Sequence, residues 1–119
     1  MPGHDPVTGE NMPRNMFFRD GEFQVYDMNG RRLRPRYEDA ILRAWRNDDP
    51  TENERVVYAA WEASITGISP APQRDEPLSD GERLQLTKWL QRWDILAPRE
   101  YDRLAGQPLA FWENLRRLG

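Results

Sequence analysis

Between residues 16 and 34 apolar and polar side chains alternate over short stretches, and beyond residue 35 the apolar positions recur every three or four. The first spacing is that of strands and the second that of helices. In EFQVYD, Phe23 and Val25 alternate with Glu22 and Gln24, and the stretch is flanked by Asp20-Gly21 and Asn29-Gly30. Both dipeptides favour the left-handed backbone that tight hairpins need. The pattern predicts a small antiparallel β-meander with strands near 16–19, 22–27 and 31–34.

Pro35 offers a helix start, and Tyr37, Ile41, Ala44 and Trp45 then form one apolar face, predicting a helix over about 36–47. Asp49, Pro50 and Glu52 have the order of an N-cap, a first-position proline and a third-position acid, so a second helix is expected to begin at Pro50. It carries Val57, Ala60, Trp61, Ser64 and Ile65 on one stripe and ends at Gly67. Ser79 and Glu82 form another capping box ahead of Leu86, Trp89, Leu90 and Trp93, which predicts a helix over about 80–94. Pro98 and Pro108 each offer the start of a further short helix, the first ended by Gly106 and the second carrying Phe111, Trp112, Leu115 and Leu118.

The expected fold is therefore mainly α: a compact bundle of about five short helices, preceded by an extended N-terminal arm and the small antiparallel β-meander. The arm covers 1–15 and a single domain covers 16–119. Within that domain the meander spans 16–34, a helical hairpin 35–67, a Pro-rich connection 68–78 and a three-helix part 79–119.

Hydrophobic residues make up only 38% of the chain, so the five Trp, four Tyr and four Phe must supply much of the core. The absence of Cys excludes disulfides, thiolate chemistry and cysteine metal sites. No apolar run approaches the ~20 residues of a membrane span, and Met-Pro-Gly-His-Asp-Pro lacks the basic and apolar regions of a signal peptide. A cytoplasmic location is expected, in a host cytoplasm or a virion if the chain is phage-encoded. That source is suggested by the single Lys among 17 basic residues, the bias of a GC-rich genome.

Charge is arranged in blocks: residues 31–46 hold six basic and two acidic side chains, and residues 47–82 hold two basic and nine acidic ones. Blocks of this kind pair within a fold or present faces to partners. Arg31, Arg32, Arg34 and Arg36 form the densest basic patch, beside the aromatic positions Phe17, Phe18, Phe23 and Tyr26 of the meander. These eight residues are the candidate partner-binding set. Asp48, Asp49, Glu52 and Glu54 lack the alternation and internal glycine of a calcium loop and suit a helix N-terminus instead. His4 is the only histidine, placed in the arm away from any nucleophile pattern, and no phosphate-cradling glycine motif occurs. No catalytic residue, metal site or cofactor is assigned.

The C-terminal stretch offers a different reading. Leu96, Leu104, Ala105 and Gly106, followed by Trp112 and Leu115, give a short helix, a turn and a second helix. Over about 24 residues this order resembles the helix-turn-helix of repressor-like DNA-binding domains. It departs from that pattern at Asp102, where a small apolar residue is usual, and at Leu109, Ala110 and Phe111, where base-reading polar side chains are usual. The resemblance implies a DNA-binding regulator using residues 98–118, with Asn114, Arg116 and Arg117 available for contacts.

The expectation that emerges is a small acidic, non-enzymatic interaction protein whose partner is another protein or an assembly of its own copies. Nucleic acid is the second candidate partner, and a membrane is not one. A bacteriophage accessory or structural protein, or a small phage inhibitor, fits that description.

Overall fold

The computed structural model describes residues 12–69 and 76–92. They form a hairpin of β1 (Met16–Arg19) and β2 (Glu22–Val25), followed by α1 (Pro35–Trp45), α2 (Glu52–Thr66) and α3 (Asp80–Arg92). The mainly α bundle of about five helices is thereby corrected. Among the described residues there are three helices and one two-stranded antiparallel sheet, a small mixed α/β arrangement about half helical. The helices expected after Pro98 and Pro108 lie outside the described residues, as do residues 1–11 of the arm.

The turn joining β1 to β2 uses Asp20 at φ +52° and Gly21 at φ +78°. Two left-handed residues in succession match the twist of paired strands, and Gly21 adopts this conformation without a side-chain penalty. The register places Met16 opposite Val25, Phe17 opposite Gln24, Phe18 opposite Phe23 and Arg19 opposite Glu22.

The expected third strand is reduced to one bridge, between Tyr26 and Arg32. Leu33 N–H donates to Val25 O at 2.9 Å and Asp27 N–H to Arg31 O at 2.8 Å, so pairing begins as a meander would. It stops because the Val25 N–H donates to the Glu38 carboxylate at 3.0 Å instead of to a strand. Pro35, at the start of α1, turns the chain into a helix immediately afterwards. The loop Met28-Asn29-Gly30 is held from within. Asp27 Oδ1 accepts the Asn29 and Arg31 N–H groups at 2.8 and 3.0 Å, and Gly30 closes the loop at φ +80°.

α1 ends earlier than the apolar pattern suggests because Asn47 takes φ +54°. Its N–H donates to Ala44 O, and that of Asp48 to Arg43 O, the paired bonds of a Schellman ending. α2 starts two residues later than its expected beginning at Pro50. Thr51 Oγ1 accepts the Glu54 N–H while Glu54 returns a carboxylate to the Thr51 N–H, a complete capping box. Asp49, the expected cap, sits at φ +47°. At the far end Gly67 closes α2, and Arg83 of α3 donates to the carbonyls of Ser64 and Ile65 at 3.0 and 2.9 Å. The Ser79–Glu82 box before α3 forms as its spacing predicts.

α2 packs against both α1 and α3, and α1 packs against β2. The shared core is built from Met16 and Val25 of the hairpin, Tyr37 and Ile41 of α1, Val57 and Trp61 of α2, and Leu86 and Leu90 of α3. Met12 is also buried in it. The two largest fully buried side chains satisfy their polar ends across it. Trp61 Nε1 donates to Tyr26 O at 2.9 Å, and the Tyr37 hydroxyl to Trp89 O at 3.2 Å.

Candidate interaction surface

Alternation along β1 puts Met16 and Phe18 on one face and Phe17 and Arg19 on the other. The pairing register extends these faces across β2. Phe18 joins Phe23 on the side turned toward the helices, and Phe17 joins Gln24 on the outer side.

On the inner side Phe18 and Phe23 meet edge to face at 4.8 Å, and Phe23 continues to Trp45 of α1 at 6.0 Å. The Arg46 guanidinium stands 4.3 Å from the centre of the Phe23 ring. Phe18 ends this row and remains 40% exposed. On the outer side Phe17 meets Tyr26 edge to face at 5.7 Å, with the Arg19 guanidinium 4.6 Å above the Phe17 ring. The hairpin therefore carries two aromatic rows, each covered by one arginine. A groove of about 380 Å³ adjoins the inner row, lined by Asp39, Leu42, Arg43, Arg46, Asp48 and Glu54.

Sequence reasoning places four aromatic and four arginine residues in one surface, and the structure separates their roles. Phe17, Phe18, Phe23 and Tyr26 do share the hairpin. Arg32 does not point outward as a free charge. Its Nε and one terminal nitrogen form a bidentate pair with Glu38, both at 2.9 Å, and the same terminal nitrogen reaches Glu22 at 3.0 Å. Hydrogen bonding to Glu38 raises the Arg32 guanidinium above the ordinary arginine value. Arg31 is exposed in the loop end, while Arg34 and Arg36 are exposed at the start of α1 and both are engaged in interactions.

Arg19, Trp45 and Arg46 belong to the aromatic rows yet escape the sequence reading. Arg19 has a local signal, since it lies two residues from Phe17 on one strand face. Trp45 and Arg46 reach Phe23 only through the packing of α1 on β2, which leaves no local trace.

The acidic set Asp48, Asp49, Glu52 and Glu54 serves the α1–α2 junction: Glu54 completes the capping box and pairs with Arg43 at 3.5 Å. Among the described residues no three histidine, aspartate or glutamate side chains converge as a metal site. No described helix is long and apolar enough to cross a membrane. His4 and the stretch 98–118, including Asn114, Arg116 and Arg117, lie outside the described residues. Comparison with known proteins finds no match: no family model, no curated protein and no solved structure resembles the chain.

Proposed function

We propose that the protein is a non-enzymatic interaction module that binds a macromolecular partner through its hairpin. The observation that carries this reading is Phe18, a large apolar side chain 40% exposed at the end of a packed aromatic row. An aromatic held rigid by its neighbours loses little conformational freedom on binding, and aromatic and arginine anchors dominate interface energetics. Arg19 and Arg46 supply cations beside the rings. The arginine-rich coding bias and small size fit an accessory protein of a phage particle or a phage inhibitor, acting in the virion or the host cytoplasm.

The test is capture of partners from the source cell on the immobilised chain, with Phe17→Ser/Phe18→Ser as the paired control. A partner retained by the native chain and lost with the control, while circular dichroism keeps its helical signal, supports the reading. Equal retention by both chains removes the hairpin as the binding surface.

A further inference from the structure

We propose that Asn29 is a self-modification site: the Gly30 nitrogen closes onto the Asn29 side chain, and water opens the product to an aspartyl or isoaspartyl residue. The turn built around Asp27 sets the rate.

Asparagine is labile where the next backbone nitrogen can reach its side-chain carbonyl carbon, and a following glycine leaves that nitrogen unshielded. Of the asparagines in the chain, only Asn29 precedes a glycine. Both residues are exposed, and a side chain built on Gly30 would meet no atom within 4 Å. Solvent base and water therefore reach the reacting groups. In the first step Gly30 N gives its proton to solvent base and bonds to Asn29 Cγ. The Cγ–Nδ2 bond breaks, and Nδ2 leaves as ammonia after taking a proton from water. Water then opens the cyclic imide at either carbonyl, giving the aspartyl residue or the isoaspartyl one, whose main chain runs through Cβ and Cγ. One water is consumed and one ammonia released, with no oxidation or reduction.

The loop holds this reaction back. The Gly30 N–H donates to Asp27 O at 3.0 Å, and the same carbonyl accepts the Asn15 side-chain amide at 2.7 Å. Asp27 Oδ1 fixes the N–H groups on either side, those of Asn29 and Arg31, and Asp27 Oδ2 ties the loop to α3 through Gln91. Removing a proton from a bonded amide requires local opening, the event that amide hydrogen exchange reads. Asn29 thus converts only while the Asp27 turn is open. Conversion also changes the loop. The new carboxylate lies near the exposed Arg31, and the isoaspartyl form adds a main-chain atom to a loop closed by the Asp27–Arg31 bonds. The lengthened loop no longer fits those bonds, so the Tyr26–Arg32 bridge beyond them loosens irreversibly.

The full chain is incubated in mildly alkaline buffer. Peptide mapping by mass spectrometry follows each asparagine, and hydrogen exchange follows the Gly30 amide. Asn29 is expected to convert before every other asparagine, about ten- to hundredfold more slowly than in the same chain unfolded in urea. Asp27→Ala is expected to speed Asn29 conversion and Gly30 exchange together, by about tenfold, and Gln91→Ala by a smaller common factor. If Asp27→Ala unfolds, Gln91→Ala and the urea-unfolded chain still decide. The isoaspartyl form, isolated by ion exchange, is expected to exchange its Arg31 amide about tenfold faster than the unmodified chain. Equal conversion in the folded and unfolded chains overturns the role of the turn, as does conversion that accelerates without faster Gly30 exchange. An Asn29 still intact when another asparagine has converted overturns the site, and unchanged Arg31 exchange in the isoaspartyl form overturns the loosening.

Discussion

The side-chain amide of Gln91, near the end of α3, donates to Asp27 Oδ2 at 2.7 Å, joining positions 64 residues apart. Asp27 is 1% exposed, and its other carboxylate oxygen holds the Asn29 and Arg31 N–H groups. One carboxylate therefore shapes the loop after β2 and anchors that loop to the last described helix. Asp27→Ala leaves three donors without this acceptor and is expected to cost about 2–3 kcal/mol. Gln91→Ala is expected to cost about 1 kcal/mol, since the loop keeps its internal bonds. Urea unfolding of the two variants checks the order, with midpoints shifted and slopes unchanged.

Glu38 is 7% exposed on α1 and accepts from both the Val25 N–H and Arg32. Glu38→Ala strands a buried backbone donor and is expected to destabilise the fold by about 2–3 kcal/mol. The same substitution should accelerate hydrogen exchange at the Val25 amide more than at the Tyr26 amide, whose acceptor is Asn15 O. Equal acceleration at both amides shows that Glu38 acts on the whole hairpin and not on its edge.

Thr87 is fully buried in α3, and its Oγ1 has no hydrogen-bond partner among the described residues. Removing a buried hydroxyl that makes no bond, without changing shape, relieves its desolvation cost. Thr87→Val is expected to raise stability by about 1 kcal/mol, read as a higher urea midpoint. A lower midpoint shows that the hydroxyl has a stabilising partner in solution.

Burial raises the Tyr58 phenol above its ordinary value of 10.0, assisted by the negative charge of Glu62 and a hydrogen bond to it. The folded chain thus holds this proton more tightly than the unfolded chain does. The resulting stability is complete below the ordinary phenol value and is lost as pH rises from there toward the displaced one. In an alkaline absorbance titration Tyr58 is expected to ionise later than an ordinary phenol, and Tyr58→Phe should remove one late step. A late step that survives the substitution assigns it to another tyrosine.

Local chemistry made much of the fold legible. Asp20-Gly21 and Gly30 announce turns because few other residues accept their left-handed backbone angles. Ser79 and Glu82 announce α3 because a capping box lies within four residues. The stripe Val57, Ala60, Trp61, Ser64 and Ile65 is buried as its period predicts. Overlapping signals misplaced the start of α2. Asp49 and Thr51 can each cap, and the choice falls to Thr51, whose partner Glu54 returns the bond.

Glu38 and Asp27 show what the sequence leaves unread. Each is an acid at a position that reads as polar surface, and each is buried because its partners come from other elements. The basic patch fails for the same reason: Arg32 is consumed by Glu38 and Glu22, at distances no local pattern records. The aromatic hairpin was readable, while its link to Trp45 and Arg46 depends on how α1 lies against β2.

The Glu38 carboxylate on the Val25 N–H has one further effect, on how far any strand-to-strand association can grow. Filaments propagate when both sides of a sheet accept newcomers, so that each arrival exposes a fresh docking line. Here the Val25 position of β2 offers a newcomer neither donor nor acceptor, because Glu38 and Leu33 already occupy both. A single buried acid thereby withdraws the Val25 donor from edge-to-edge pairing.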